Sequence, residues 1–163
     1  MGLGKMKSNG FSLVEVLFAI LLVGLAIASL LGANAAFTRA NGAGADLSTA
    51  EFLLEQIKEL TAMLPVIDPQ TETTTFGPEE ATMAAYDDLD DFDGAAFCPP
   101  ISADRATLAD FAPFTQQITV ENVSASNFAL VAADHSTAFV RVTARVLMNS
   151  TEISSASWIR AQY

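Results

Sequence analysis

The chain has almost none of the residues from which many catalytic and metal centres are built. Its 163 residues include one cysteine, Cys98, and one histidine, His135. A single cysteine excludes an intrachain disulfide, and Cys98 lies in no CxxC or similar ligand spacing. His135 stands directly between Asp134 and Ser136, whereas catalytic triads are assembled from separate parts of a fold. This run therefore predicts a turn, and the sequence predicts no enzyme activity.

Basic residues are also scarce. The chain has 8 Lys and Arg against 19 Asp and Glu, a formal net charge of −11. Lys5 and Lys7 are the only charged residues among the first ten, so the rest of the chain carries −11 − 2 = −13. Nucleic-acid binding rests on a basic surface that neutralises phosphates. We therefore expect no direct nucleic-acid partner.

Charge of either sign is missing from one long segment. Residues 16–38 are 23 positions without a charged side chain. As a helix they would extend about 35 Å at about 1.5 Å per residue, and a bilayer's hydrocarbon core is roughly 30 Å thick. The segment is therefore predicted to span a membrane. Glu15 lies directly before its N-terminal end, where a carboxylate is costly and indicates a function.

What precedes this segment resembles a known processing signal. A short basic leader with Lys5 and Lys7 is followed by Gly10-Phe11-Ser12-Leu13-Val14-Glu15-Val16-Leu17. This run resembles the class III signal of type IV pilins and pseudopilins, over residues 5–37. The resemblance implies that a membrane prepilin peptidase cuts between Gly10 and Phe11 and methylates the new N-terminus at Phe11. It also implies that Glu15 pairs with the Phe11 amine of an adjacent subunit during filament assembly.

The residues support parts of this interpretation independently. Lys5 and Lys7 would keep the leader in the cytoplasm, and a helix N-terminus favours the negative charge of Glu15. An ordinary signal anchor is the alternative, and it would need neither the glycine-phenylalanine pair nor Glu15.

The rest of the chain predicts an α+β domain. Apolar residues recur at spacings of three and four over 46–64, which indicates an amphipathic helix that Pro65 ends. From Thr115 onward apolar and polar residues alternate, as in three to four antiparallel strands with one buried face. We expect the long N-terminal helix, half in the membrane and half amphipathic, to cover that sheet, as in pilins. The domains are then a cleaved leader (1–10), a transmembrane and filament-core helix (11–38) and a soluble domain (39–163).

The segment between helix and sheet is irregular and acidic. Short helices are predicted at 81–86 and 103–111, and Leu89 and Phe92 are expected to be buried. Five aspartates fall within seven positions: Asp87, Asp88, Asp90, Asp91 and Asp93. Carboxylates are Ca²⁺ ligands, so these aspartates are candidate metal ligands, although their spacing does not match an EF-hand. A solvated acidic loop is the alternative, and no other cofactor is predicted.

These patterns lead to one function and two alternatives. The resemblance implies a minor pilin, a structural subunit of a type IV pilus-like filament. Its partners would be the prepilin peptidase, other pilin subunits, the inner-membrane assembly platform and the lipid bilayer. It would lie in the bacterial inner membrane before assembly and in a periplasmic or cell-surface filament afterwards. The alternatives are a minor pseudopilin of type II secretion and a membrane-anchored periplasmic binding domain that never polymerises.

Overall fold

The computed structural model describes residues 10–66 and 76–162. The chain divides into two compact units, Met1–Gly44 and Ala45–Tyr163, which are described separately below. One helix, α1 (Leu13–Ala62), runs through both units. It is the described secondary structure of the first unit, and its last part is the first element of the second unit. The predicted long N-terminal helix is therefore confirmed, and it ends three residues before Pro65.

The first unit has no core of its own. Every residue from 10 to 44 is exposed, including large apolar side chains such as Phe18, Leu21 and Leu30. Soluble monomers rarely expose a contiguous apolar surface larger than a few hundred Å². The helix is long and apolar enough to cross a membrane. This half of α1 therefore needs lipid or other protein chains around it.

The second unit is built on an antiparallel sheet. Its strands are β1 (Ala96–Phe97), β2 (Phe114–Ser124), β3 (Asn127–Val131), β4 (Phe139–Met148) and β5 (Thr151–Ala161). The order is β1-β2-β4-β5, and β3 pairs with the end of β2 through Val123 and Ser124. The alternation predicts β2 to β5. The fifth strand, β1, is two residues long and therefore too short for any period-two pattern, so the sheet has five strands rather than three to four.

The core lies between the sheet and the last turns of α1. From the helix come buried apolar residues that recur three or four positions apart: Ala50, Leu53, Leu54, Ile57 and Leu60. From the sheet come alternate residues of β2 and β4: Ile118, Val120, Val140, Val142, Ala144 and Val146. Two different periodicities thus place one apolar face on each layer. The α+β class that the sequence predicts is confirmed.

A buried glutamine links the layers of this unit. Gln116 on β2 is fully buried. Its Nε2 donates to the carbonyls of Leu53 at 2.9 Å and Ile101 at 3.1 Å, and its Oε1 accepts from the Ile101 N–H at 2.8 Å. One side chain therefore joins the helix, the sheet and the connecting segment. The alternation along β2 places Gln116 on the same face as Ile118 and Val120, but it does not indicate the hydrogen-bond partners of Gln116.

The connecting segment differs from its sequence prediction. Residues 81–86 form turns, and the regular structure is two three-residue 3₁₀ helices, Asp90–Phe92 and Ala109–Phe111. The two predicted short helices are therefore wrong. Isolated short helices are marginal, because one hydrogen bond does not offset the ordering of a first turn. Here the backbone follows tertiary contacts: Leu89 and Phe92 are completely buried, as expected, and draw their segment onto the core.

Candidate functional site

The predicted cleavage position lies immediately before α1. Gly10 is exposed, and a Cβ built on it would have no neighbouring atom within 4 Å. Phe11 is 81% exposed, and neither residue belongs to the helix, which begins at Leu13. The peptide bond between Gly10 and Phe11 is therefore accessible and free of helical hydrogen bonding.

Ser12 and Glu15 form the first turn of the helix. The Glu15 N–H donates to Ser12 Oγ at 3.2 Å, and the Val16 N–H donates to the Ser12 carbonyl at 3.2 Å. Ser12 is thus the N-cap, and Glu15 occupies the third helical position, the Ser-x-x-Glu spacing of a capping box. A capping role explains part of the residue pattern, and the helix dipole favours a carboxylate there.

Capping leaves the charge of Glu15 available. The side chain is exposed, and within residues 10–66 and 76–162 no cation forms an ion pair with it. A carboxylate at the edge of a long apolar helix normally finds a partner. Any such cation must come from outside the described part of this chain.

The acidic segment is a folded structure held by its own carboxylates. Asp91 Oδ2 accepts from the N–H groups of Asp87 at 2.8 Å and Asp88 at 3.2 Å, and Asp88 Oδ1 accepts from the Asp91 N–H at 3.1 Å. Asp93 Oδ1 accepts from the Val120 N–H at 2.8 Å, which ties the segment to β2. Most of these aspartates are buried rather than solvated.

Such crowding shifts the ionisation of the carboxyl groups. Burial, followed by the hydrogen bond with Asp90, raises the pKa of Asp88 to about 8. Burial also raises the pKa of Asp90. The contact of the Glu80 carboxyl group with that of Asp91, followed by burial, raises the pKa of Glu80 to about 7. Full ionisation of these neighbouring carboxyl groups is therefore unfavourable.

Arg105 holds the chain beside this cluster, and sequence reasoning did not single it out. Its guanidinium donates to the carbonyls of Met83 at 2.9 Å, Ala84 at 3.1 Å and Tyr86 at 2.6 Å. It also lies 5.8 Å from the centre of the Phe92 ring. An isolated arginine 19 to 22 residues away in sequence gives no signal of this role.

We expect Arg105→Ala to lower the free energy of unfolding by about 1–3 kcal/mol, because a charged donor to several backbone carbonyls is lost. The free energy of unfolding of Arg105→Lys should lie between those of the unchanged chain and of Arg105→Ala, since an ammonium group cannot reproduce the planar guanidinium fork. Urea unfolding of the full chain in micelles, followed by the fluorescence of its single tryptophan, Trp158, measures the change. Arg145→Ala is the control, because the ion pair between Arg145 and Glu152 is exposed and 3.9 Å long. Equal effects of the two alanine variants would contradict the role of Arg105.

His135, Cys98 and Ser136 are held in separate local contacts. The His135 N–H donates to Asn122 Oδ1 at 2.7 Å, and its Nε2 lies 3.9 Å from Asp90 Oδ2. The Ser136 hydroxyl donates to the Ala133 carbonyl. Cys98 is exposed, with its sulfur 3.9 Å from the Ala112 carbonyl. The predicted turn at His135 is consistent with its left-handed backbone, φ 54°.

Comparison with known proteins bears on the N-terminal region. Residues 5–31 match the family described as the prokaryotic N-terminal methylation motif. No curated protein and no solved structure matches the chain. The match covers Gly10, Phe11 and Glu15 together with the start of the apolar helix.

Proposed function

We propose that this chain is a minor pilin of a pilus-like filament. The methylation motif at residues 5–31 supports this proposal, because it indicates the type IV pilin and pseudopilin family. The chain enters the inner membrane as a prepilin and is cut between Gly10 and Phe11. It is methylated at Phe11 and then joins the filament through α1. The observation that carries this proposal is an accessible Gly10–Phe11 bond directly before a helix whose first 32 residues, 13–44, are entirely exposed.

The exposed helix supports both stages of this cycle. Before assembly, residues 16–38 have the length and apolar character to cross a bilayer. A subunit that leaves the bilayer would expose this surface to water, at a free-energy cost of about 25 cal/mol per Å² of apolar surface. Only other apolar surfaces can replace the lipid. Packing against the same helices of neighbouring subunits meets that need, so the partners are other pilin-like chains.

Glu15 supplies the position at which a neighbour docks. Cleavage after Gly10 creates an α-amine at Phe11, four residues before Glu15. Within one subunit, the backbone N–H of Glu15 already donates to the Ser12 hydroxyl in the first turn of the helix. The protonated Phe11 amine of an adjacent subunit is positively charged and mobile. Its pairing with the Glu15 carboxylate would place each new subunit in register. The acidic domain and the Phe-Ser-Leu-Val-Glu start favour a minor over a major subunit, and a single cysteine excludes the disulfide loop of many major pilins.

The processing step is testable directly. Mass spectrometry of the protein from host membranes should find an N-terminus at Phe11 with one added methyl group. We expect Gly10→Leu to leave the leader attached in nearly all molecules, because a side chain would prevent close backbone approach at the cut. Gly4→Leu, the same change within the leader but away from the cut, should be processed normally.

Two outcomes would contradict the proposal. One is recovery of chains that begin at Met1 from cells with an active prepilin peptidase. The other is normal processing of Gly10→Leu. Intact chains would favour the ordinary signal anchor, which is not cleaved.

A further inference from the structure

Three carboxylates from two parts of the connecting segment converge on one point. Glu79 and Glu80 follow Pro78, and Asp91 lies in the 3₁₀ helix Asp90–Phe92. One carboxylate oxygen of each lies within 4.8 Å of the other two. Asp91 is only 1% exposed. Like charges at this separation repel one another strongly where water is excluded.

Two of these oxygens are buried without a hydrogen-bond donor. Asp91 uses Oδ2 for the N–H groups of Asp87 and Asp88. Its Oδ1 and Glu80 Oε2 are buried, and no donor reaches either atom within the described residues. A buried carboxylate oxygen without a partner is strongly unfavourable, so such atoms in a native fold call for an explanation.

The described basic side chains near the cluster make their contacts elsewhere. Arg105 directs its guanidinium to the carbonyls of Met83, Ala84 and Tyr86. The imidazole of His135 lies toward Asp90 at 3.9 Å. Among residues 10–66 and 76–162 no ion pair involves Glu80 or Asp91. The missing positive charge is therefore one that the described chain does not provide.

We propose that Glu79, Glu80 and Asp91 bind a divalent cation, and that this cation is Ca²⁺. Ca²⁺ takes six to eight oxygen ligands at about 2.3–2.6 Å, so two ligands on opposite sides of it lie about 4.6–5.2 Å apart. The 4.8 Å limit on the three oxygens fits within that span. Carboxylates without nitrogen or sulfur ligands favour Ca²⁺ or Mg²⁺ over transition metals. Mg²⁺ would require a more rigid octahedral arrangement, which two glutamates on an irregular segment supply poorly.

The site gives the cation a structural role. Glu79 and Glu80 belong to a segment of turns, whereas Asp91 is attached to the core through its neighbour Phe92, which is fully buried. A bound ion would tie the turn segment to that anchored position. The aspartates between positions 87 and 93 would then have different roles. Asp91 binds the ion, whereas Asp88 and Asp93 accept hydrogen bonds from backbone N–H groups.

The test uses the full chain in detergent micelles at about pH 8, freed of metal with EDTA and dialysed. CaCl₂ and MgCl₂ are titrated separately by calorimetry, and thermal unfolding is followed by Trp158 fluorescence. Extracellular Ca²⁺ modules bind with dissociation constants of about 10⁻⁴–10⁻³ M. At about ten times the dissociation constant we expect Ca²⁺ to raise Tm by about 3–6 °C, and Mg²⁺ to have a smaller effect.

Matched variants locate the site. Glu79→Gln/Glu80→Gln should weaken Ca²⁺ binding about tenfold or more, because two charged ligands are lost. Glu51→Gln/Glu59→Gln makes the same double change at exposed positions of α1 and should bind Ca²⁺ like the unchanged chain. Asp91→Asn keeps an acceptor for the Asp87 and Asp88 N–H groups and offers an amide donor to Glu80. It should therefore fold, and its Tm should not respond to Ca²⁺.

Three results would overturn the proposal. The unchanged, folded chain could fail to bind Ca²⁺ at about 10 mM, a concentration above that of extracellular sites. Glu79→Gln/Glu80→Gln could bind it as tightly as Glu51→Gln/Glu59→Gln. Mg²⁺ could stabilise the chain as much as Ca²⁺ does, which would contradict the assignment to Ca²⁺. None of these results depends on whether the chain joins a filament.

Discussion

Gln116→Met should lower the free energy of unfolding of the second unit by about 2–5 kcal/mol. This is the largest effect that we expect from a single substitution that keeps the side-chain volume. Methionine nearly matches glutamine in length, so the change leaves little cavity. It removes all three hydrogen bonds to Leu53 and Ile101. The Ile101 N–H and C=O then stay buried without their partner, and each such group contributes about 1–3 kcal/mol to the loss.

The adjacent residue provides the control. Gln117 lies on the same strand but faces outward and is exposed, so Gln117→Met should change the free energy of unfolding by less than about 0.5 kcal/mol. Urea unfolding of both variants, followed by Trp158 fluorescence, gives the comparison. If both variants unfold at the same urea concentration, the buried hydrogen bonds do not hold the layers together.

Glu15→Gln should reduce incorporation into filaments about tenfold or more while leaving membrane insertion and cleavage intact. An unpaired charged side chain at the centre of a membrane helix is unfavourable by about 2.5–3.5 kcal/mol on insertion scales, and the penalty is smaller at the helix edge, where Glu15 lies. Pairing with a neighbour's Phe11 amine relieves this penalty and so favours docking. The amide keeps the shape and the acceptor oxygen of Glu15 but removes the charge, so the drive toward the neighbour is lost.

The measurement compares subunit in sheared filaments with subunit left in the membrane. Mass spectrometry of both fractions checks that the N-terminus is still Phe11. Glu51→Gln, the same change on the exposed side of α1 in the second unit, should assemble normally. A subunit at the filament tip has no neighbour above it and would tolerate the loss of charge. Normal amounts of filament and normal incorporation of Glu15→Gln would together contradict the pairing mechanism.

Local patterns were sufficient to predict the main elements of the fold. The uncharged run 16–38, the apolar stripe over 46–64 and the alternation from Thr115 indicate α1 and the strands β2, β4 and β5, whereas all five residues of the short β3 are exposed. They succeed because long elements repeat their burial many times, and each repeat is visible in the sequence. The methylation motif is equally local, because its residues are adjacent in the sequence around Gly10.

The connecting segment shows what only the tertiary structure decided. Its predicted short helices are replaced by turns, because Leu89 and Phe92 are buried in the core and Asp93 bonds to β2. The alternation along β2 places Gln116 on the buried face and Gln117 on the exposed one, but the partners of Gln116, Leu53 and Ile101, come from distant parts of the chain. The convergence of Glu79, Glu80 and Asp91 is likewise absent from any spacing rule.

The division has a physical reason. A segment that repeats its pattern over several turns or strand pairs contains its own structural information, so the sequence alone determined the long apolar helix and the α+β class, as it did the adjacent residues of the methylation motif. A segment of single buried side chains and isolated charges takes its conformation from distant partners, such as Arg105 with the Met83 carbonyl at 2.9 Å. Those partners become neighbours only when the chain folds, so the tertiary structure decided the acidic cluster and the contacts that hold it.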